Sequence, residues 1–220
     1  MPSATDTVEV RQAIIEACRW MNQRGINQGT SGNISQRIDG DEMLITPSGV
    51  PYDRLTADMM VRMPIDGPIP PQTFKPSTEW RFHQALLRAK PSMQAVVHAH
   101  PPHAGAIAIQ RRPILACHYM IAAFGGDTVP LAPYHLFGGS VLADAVVDTM
   151  AERHGCLMAN HGAVVVGETL ERALWRLEEL EVLARMDIMS RIGGEPHILS
   201  AEEIDAVLVE FSGYGPKTSQ

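Results

Sequence analysis

Between Val8 and Met21, apolar residues fall at Val10, Ile14, Ala17, Cys18 and Met21, a helical spacing that makes one buried stripe. Asp6 or Thr7 can cap the start of this helix and Gly25 can end it. The period then changes. Ile34 to Ile38 and Met43 to Thr46 flank Asp39-Gly40, which predicts a β-hairpin with that dipeptide at its tip, entered through the loop Gly29-Thr30-Ser31-Gly32-Asn33. Thr46 to Tyr52 reads as a further turn, Met59 to Met63 as a short strand, and Pro64 to Pro71 as an exposed loop.

Pro76-Ser77-Thr78 opens a helix that runs through Trp80, Leu86 and Leu87 to Ala89, where Pro91 prevents its continuing; Glu79 falls in the first turn. Ala95 to His100 reads as a strand closed by Pro101-Pro102, followed by a short helix from Ala104 to Ile109. Beyond Gly125-Gly126 the pattern gives a strand at Thr128 to Leu131, a helix at Ser140 to Arg153, and two strands, Cys156 to Ala159 and Ala163 to Val166, around Asn160-His161-Gly162. Thr169 to Ile192 is the longest helix. Ser200-Ala201-Glu202-Glu203 is a capping box for a last helix to about Phe211, with Gly213-Tyr214-Gly215 as a tail. This irregular alternation, with at least one hairpin, predicts an α/β fold of three layers, a mixed and mostly antiparallel central sheet flanked by helices. With 220 residues and no repeat or linker, a single domain over 1–220 is expected.

Composition narrows the function. Hydrophobic residues make up 45% and charged residues 20%, as in an ordinary folded protein, and the net charge of −7 argues against a nucleic-acid partner. No window approaches the roughly 18 uncharged apolar residues that a membrane span needs, and the first residues lack a basic segment followed by an apolar one, so a cytoplasmic protein without a membrane partner is expected. Cys18, Cys117 and Cys156 are far apart and form no C-x-x-C pair. Any metal must therefore be held by histidine and carboxylate.

His98 and His100 project from the same side of their strand, because side chains alternate faces. Glu79 and His161 are candidates for the further ligands that such a pair requires. His83 is a rival, since Glu79 and His83 stand i,i+4 and would make either a metal clip or a local ion pair. Spacing leaves that choice open. His103, His118, His135, His154 and His197 lack comparable partners, and surface or structural roles are expected for them. Gly32-Asn33, Ser48-Gly49 and Ser77-Thr78 can each offer N–H and hydroxyl donors to a phosphate. Neither G-x-x-x-x-G-K-[ST] nor G-x-G-x-x-G occurs, so nucleotide binding by those routes is unsupported. These residues point to a pocket for a metal and an anion, and to no particular reaction.

Six stretches in order carry a resemblance: Gly29 to Asn33, Leu44 to Tyr52, Pro76 to His83, Val96 to His100, His118 to Ala122, and Asn160-His161-Gly162. Together they resemble the class II aldolase/adducin-type family, and within it the fuculose-phosphate aldolases, over nearly the whole chain. The resemblance implies Zn2+, or another divalent metal, held by His98, His100, His161 and Glu79. It implies a small phosphorylated sugar as substrate, its phosphate bound at Gly32, Asn33, Ser48, Gly49, Ser77 and Thr78. It further implies a homotetramer with sites at subunit interfaces, Tyr119 reaching across as proton donor, Phe137 and Tyr214 lining the aldehyde end, and Glu79 leaving the metal to act as base. Thr78 stands where serine is usual, and Asn160 where some aldolases carry histidine. Relatives of this kind include epimerases, dehydratases, decarboxylases and the non-enzymatic adducin head. The epimerases carry aspartate at the position of Glu79, so Glu79 with Tyr119 favours aldol cleavage.

Overall fold

The computed structural model describes residues 4–39 and 41–213. Tyr214, expected at the aldehyde end, lies outside the described residues. Helix α1 (Val8–Gln23) is capped by the Thr7 hydroxyl, which accepts from the Val10 N–H at 3.3 Å. Its stripe of Ile14, Ile15, Cys18 and Met21 is buried. Strands β1 (Asn33–Ile38) and β2 (Glu42–Ile45) form the expected hairpin. β3 (Val61–Pro64) starts later than the apolar pattern suggests, because Ala57–Met59 wind into a 3-10 turn.

Next come α2 (Trp80–Ala89), β4 (Ala95–Ala99), α3 (Pro102–Ile109) and β5 (Ile114–Leu115). The single strand expected at Thr128 to Leu131 is two. β6 (Thr128–Val129) pairs with β5, and β7 (Leu131–Ala132) joins the main sheet. Pro130 divides them, having no N–H to offer a ladder. α4 (Ser140–Thr149) ends before the Arg153 expected, and is followed by β8 (Gly155–Met158), β9 (Gly162–Gly167) and α5 (Leu170–Ile192). The capping box before α6 (Ala201–Gly213) closes in both directions. Ser200 N–H donates to Glu203 Oε2 at 2.7 Å, and Glu203 N–H to Ser200 Oγ at 3.2 Å.

The main sheet has seven strands in the order β3-β2-β1-β4-β9-β8-β7, antiparallel throughout except for β7 against β8. Alternation along β4 divides its side chains between two cores. Ala95, Val97 and Ala99 pack with α1, α3 and α5, while Val96 packs with α2 and α4. His98 takes the Val96 side, where its ring meets Phe82 of α2 edge-on at 5.5 Å. The strand register thus carries His98 toward the helix that follows Glu79. Among the described residues no helix is long and apolar enough to cross a membrane.

Candidate active site

His98 is fully buried, and its Nδ1–H donates to the Ala163 carbonyl of β9 at 2.8 Å. That bond assigns the proton of a neutral ring to Nδ1 and leaves Nε2 as a lone pair. His100, one residue beyond β4, places its Nε2 3.1 Å from that of His98. His161 stands in the turn joining β8 to β9, its ring centroid 5.0 Å from that of His98 and 5.1 Å from that of His100. This turn depends on Gly162, since a Cβ there would lie 2.5 Å from the Ala99 carbonyl oxygen. One ligand atom from each of the three histidines lies within 4.8 Å of the others, a group that could hold a metal ion.

Glu79 is the residue before α2 rather than part of its first turn, with φ −98° and ψ 12°, and its carboxylate does not cap the helix. The side chain turns to the histidines instead. Oε2 lies 3.1 Å from His98 Nε2 and Oε1 3.2 Å from His161 Nε2. Oε2 also accepts from Asn33 Nδ2 at 3.0 Å. Burial opposes charge on this carboxyl, but His98 and His161 outweigh it and hold the group well below the usual carboxylate range. His98 moves the other way: burial disfavours its cation, and Glu79 outweighs that cost. Burial, with His98 and His161 beside it, pushes His100 down to about 4.

The i,i+4 clip between Glu79 and His83 does not form. The buried His83 ring points to β1, with Nε2 2.5 Å from Asn33 Oδ1 and Nδ1 2.7 Å from Ser35 Oγ. Burial pushes it down to about 3, so it is neutral. Asn33 and Ser35 share a face of β1, and this repeat of polar residues two apart was the available signal for their common role.

The three stretches proposed for an anion come together. Gly32, Asn33, Ser48, Gly49, Ser77 and Thr78 line one cleft of about 440 Å³ with Glu79, His100, His161 and Phe137. Two of their amides are already spent, because Ser48 N–H donates to the Lys75 carbonyl and Ser77 N–H to that of Thr46, each at 2.9 Å. Those bonds zip the two loops together and leave hydroxyls, rather than these amides, for an anion. No described lysine or arginine lines the cleft. Gly32 is required by close approach, as a Cβ would stand 2.8 Å from the His98 carbonyl oxygen, and Tyr52 Oη donates to the Gly32 carbonyl.

Tyr119 is not brought to this cleft by its own chain. It opens an unforeseen 3-10 helix, Tyr119–Phe124, in which the His118 ring accepts from the Met120 N–H at 3.3 Å. Its side chain is 48% exposed, with the Phe211 ring centroid 6.4 Å away. Tyr134 and His135 line the cleft although sequence reasoning gave them no part; 133–139 has no period that would mark them. Asn160, in the left-handed region with φ 54°, accepts from Arg111 Nε at 2.8 Å.

Residues 12–188 match the family model described as Class II Aldolase and Adducin N-terminal domain. The chain is 44% identical over 209 residues to an L-fuculose phosphate aldolase of Escherichia coli O6:H1, covering 94% of this chain and 96% of that protein. It is 42% identical over 216 residues to a 5-methylthioribulose-1-phosphate/5-deoxyribulose-1-phosphate aldolase of Escherichia coli O45:K1, covering 96% and 99%. Among solved structures, an L-fuculose 1-phosphate aldolase superposes with a TM-score of 0.90 at 31% identity, over 94% of this chain and 97% of that one. The chain belongs to the class II aldolase and adducin N-terminal domain family, and is one of its lyases.

Proposed function

We propose that this protein is a zinc-dependent cytoplasmic aldolase that cleaves a ketose 1-phosphate, of the L-fuculose 1-phosphate kind, reversibly to dihydroxyacetone phosphate and a small aldehyde such as lactaldehyde. The observation that carries the reading is the place of Glu79, whose carboxylate lies between His98, His161 and Asn33 at the inner end of the cleft. The donor set fits a divalent cation. In the neutral His98 ring Nε2 is a lone pair 3.1 Å from another imidazole nitrogen, and Glu79 Oε1 is buried without a hydrogen bond. His98, His100, His161 and Glu79 would hold the ion, zinc being favoured by the nitrogen ligands. Bound there, zinc would supply Lewis acidity to a substrate carbonyl oxygen.

The remaining chemistry belongs to the chain. The hydroxyls of Ser48, Ser77 and Thr78, with N–H donors around Gly32, Asn33 and Gly49, receive the phosphate without a cationic side chain and so set the register of the sugar carbons. Glu79 takes a proton from C3 of dihydroxyacetone phosphate in condensation and returns it in cleavage. Tyr119, which within one chain does not line the cleft, is assigned to a neighbouring copy in a homotetramer with shared sites, where it donates to the aldehyde oxygen as the carbon–carbon bond forms. Phe137 covers the aldehyde end together with Tyr214.

The 5-methylthioribulose-1-phosphate/5-deoxyribulose-1-phosphate aldolase relative makes a ketose 1-phosphate with an apolar tail the second substrate to consider. A panel of ketose 1-phosphates, read by release of dihydroxyacetone phosphate, separates the two. Interconversion of ketose 5-phosphates, or loss of water or carbon dioxide without that release, would replace the aldolase reading.

A further inference from the structure

From Asn33, which lines the cleft beside Glu79, three side chains form a row that runs into the interior. Asn33 Nδ2 donates to Glu79 Oε2 at 3.0 Å, Asn33 Oδ1 lies 2.5 Å from His83 Nε2, and His83 Nδ1 lies 2.7 Å from Ser35 Oγ. His83 and Ser35 are fully buried, and Asn33 and Glu79 nearly so.

The direction of every bond follows from one end. A carboxylate oxygen only accepts, so Asn33 must turn its NH2 toward Glu79. Its amide oxygen then faces His83 and only accepts, which places the imidazole proton on Nε2. Nδ1 is left as a lone pair, and the Ser35 hydroxyl must donate to it. Each member thus has one workable orientation, and reversing any one would set two acceptors or two donors against each other among buried groups, where the loss is costly.

We infer that His83 is a positioning residue: by holding the Asn33 amide in one of its two flips, it keeps an N–H aimed at Glu79 Oε2 and so sets the rotation of that carboxylate. His83 is not one of the three-histidine group and does not line the cleft. Asn33 is the link. With its amide oxygen committed to His83, that atom is unavailable to a ligand. Position 83 therefore needs a donor at the site of Nε2, and an apolar residue of similar size would leave the buried Asn33 oxygen without a donor, so that the amide is no longer pinned and can turn away from the carboxylate. The catalytic half of this inference rests on the proposed role of Glu79; the hydrogen-bond half stands apart from it.

The test has three arms. In the 15N-histidine-labelled wild-type chain at pH 7, with zinc and after chelation, the resonances absent from His83→Gln should show a proton on Nε2 and none on Nδ1; a proton on Nδ1, or on both, overturns the inference. In kinetics of C3-proton exchange into dihydroxyacetone phosphate, His83→Leu should lower kcat about 10–100-fold with KM within about threefold, while His83→Gln, which restores an N–H near Nε2, recovers most of the loss. Zinc affinity, by chelator competition, should fall about tenfold in His83→Leu and recover in His83→Gln. Equal impairment of the two variants, full activity in both, or an effect on KM alone contradicts the positioning role. If the wild-type chain exchanges no proton, the aldolase reading fails, and the labelling and zinc arms still decide the inference. The labelling arm also decides it if His83→Leu does not fold.

Discussion

His98 and His100 stand two residues apart and bring their Nε2 atoms to 3.1 Å, although same-side neighbours on a strand are about 7 Å apart along it. The rings must lean together, and the bond from His98 Nδ1 to Ala163 leaves a lone pair on the facing nitrogen. Two imidazole nitrogens at that distance are relieved by a proton or a cation between them, and His161 and Glu79 add the donors that favour a cation. Purified protein should therefore carry about one divalent metal ion per chain by elemental analysis, with zinc preferred on reconstitution. His98→Ala and His161→Ala should each lose that metal and turnover while keeping the circular dichroism of the fold. Unchanged metal content in both variants would place the metal elsewhere.

Tyr119 and Glu79 are to meet only between copies of the chain. Light scattering should give a tetramer. Co-assembly of inactive Glu79→Gln with inactive Tyr119→Phe should restore part of the activity, since some sites then combine an intact Glu79 with an intact Tyr119. A fully active monomer, or no recovery on mixing, would remove the shared site.

Away from the cleft, Arg176 is the buried cation whose loss should cost most. Its guanidinium donates to the Ala123 and Val166 carbonyls at 3.2 and 2.8 Å and pairs with Glu168 at 2.9 Å. Arg176→Met should lower unfolding stability by about 3 kcal/mol in urea, because buried carbonyls lose their donors. Burial opposes charge on Glu168, but Arg176 outweighs it and lowers its carboxyl below the ordinary value of 4.5. A lowered folded pKa gives stability that is present above the ordinary value and lost as pH falls through the folded one. The stability gap between wild type and Glu168→Gln should accordingly be full at pH 7 and shrink below about pH 4.5.

Much of this was legible in the chain because it is local or periodic. The capping box at Ser200, the hairpin around Asp39 and the projection of His98 and His100 all follow from spacing. What was not legible depends on partners distant in sequence. Glu79 and His83 are helical neighbours in spacing, yet β1 supplies Asn33 and Ser35 and takes His83 out of any clip. Ser48 and Ser77 looked like amide donors for an anion until the pairing of their loops spent those amides. The 3-10 helix at Tyr119–Phe124 has no period to announce it, being held by the His118 cap and by packing of Ile121 and Phe124 into the core.

Gly32 offers a direct check on how tightly the loop before β1 is seated against β4. A Cβ at 32 would press on the His98 carbonyl at 2.8 Å and on Asn27 Oδ1 at 2.9 Å. Gly32→Ala should cost about 1–3 kcal/mol in thermal or urea unfolding and raise KM for the phosphorylated substrate. Wild-type stability and KM in this variant would mean that the loop can move aside.

The proposed role of Glu79, moving the C3 proton of dihydroxyacetone phosphate, is read by exchange of that proton in deuterated water with no aldehyde present. Zinc-loaded wild type should place one deuterium stereospecifically at C3, followed by NMR, and Glu79→Gln should lose this exchange. Tyr119→Phe should keep much more exchange than aldol cleavage, because its proton goes to an aldehyde oxygen that the exchange reaction lacks. Wild-type protein that neither exchanges the proton nor cleaves any ketose 1-phosphate, or Glu79→Gln that exchanges at the wild-type rate, would contradict this role of Glu79.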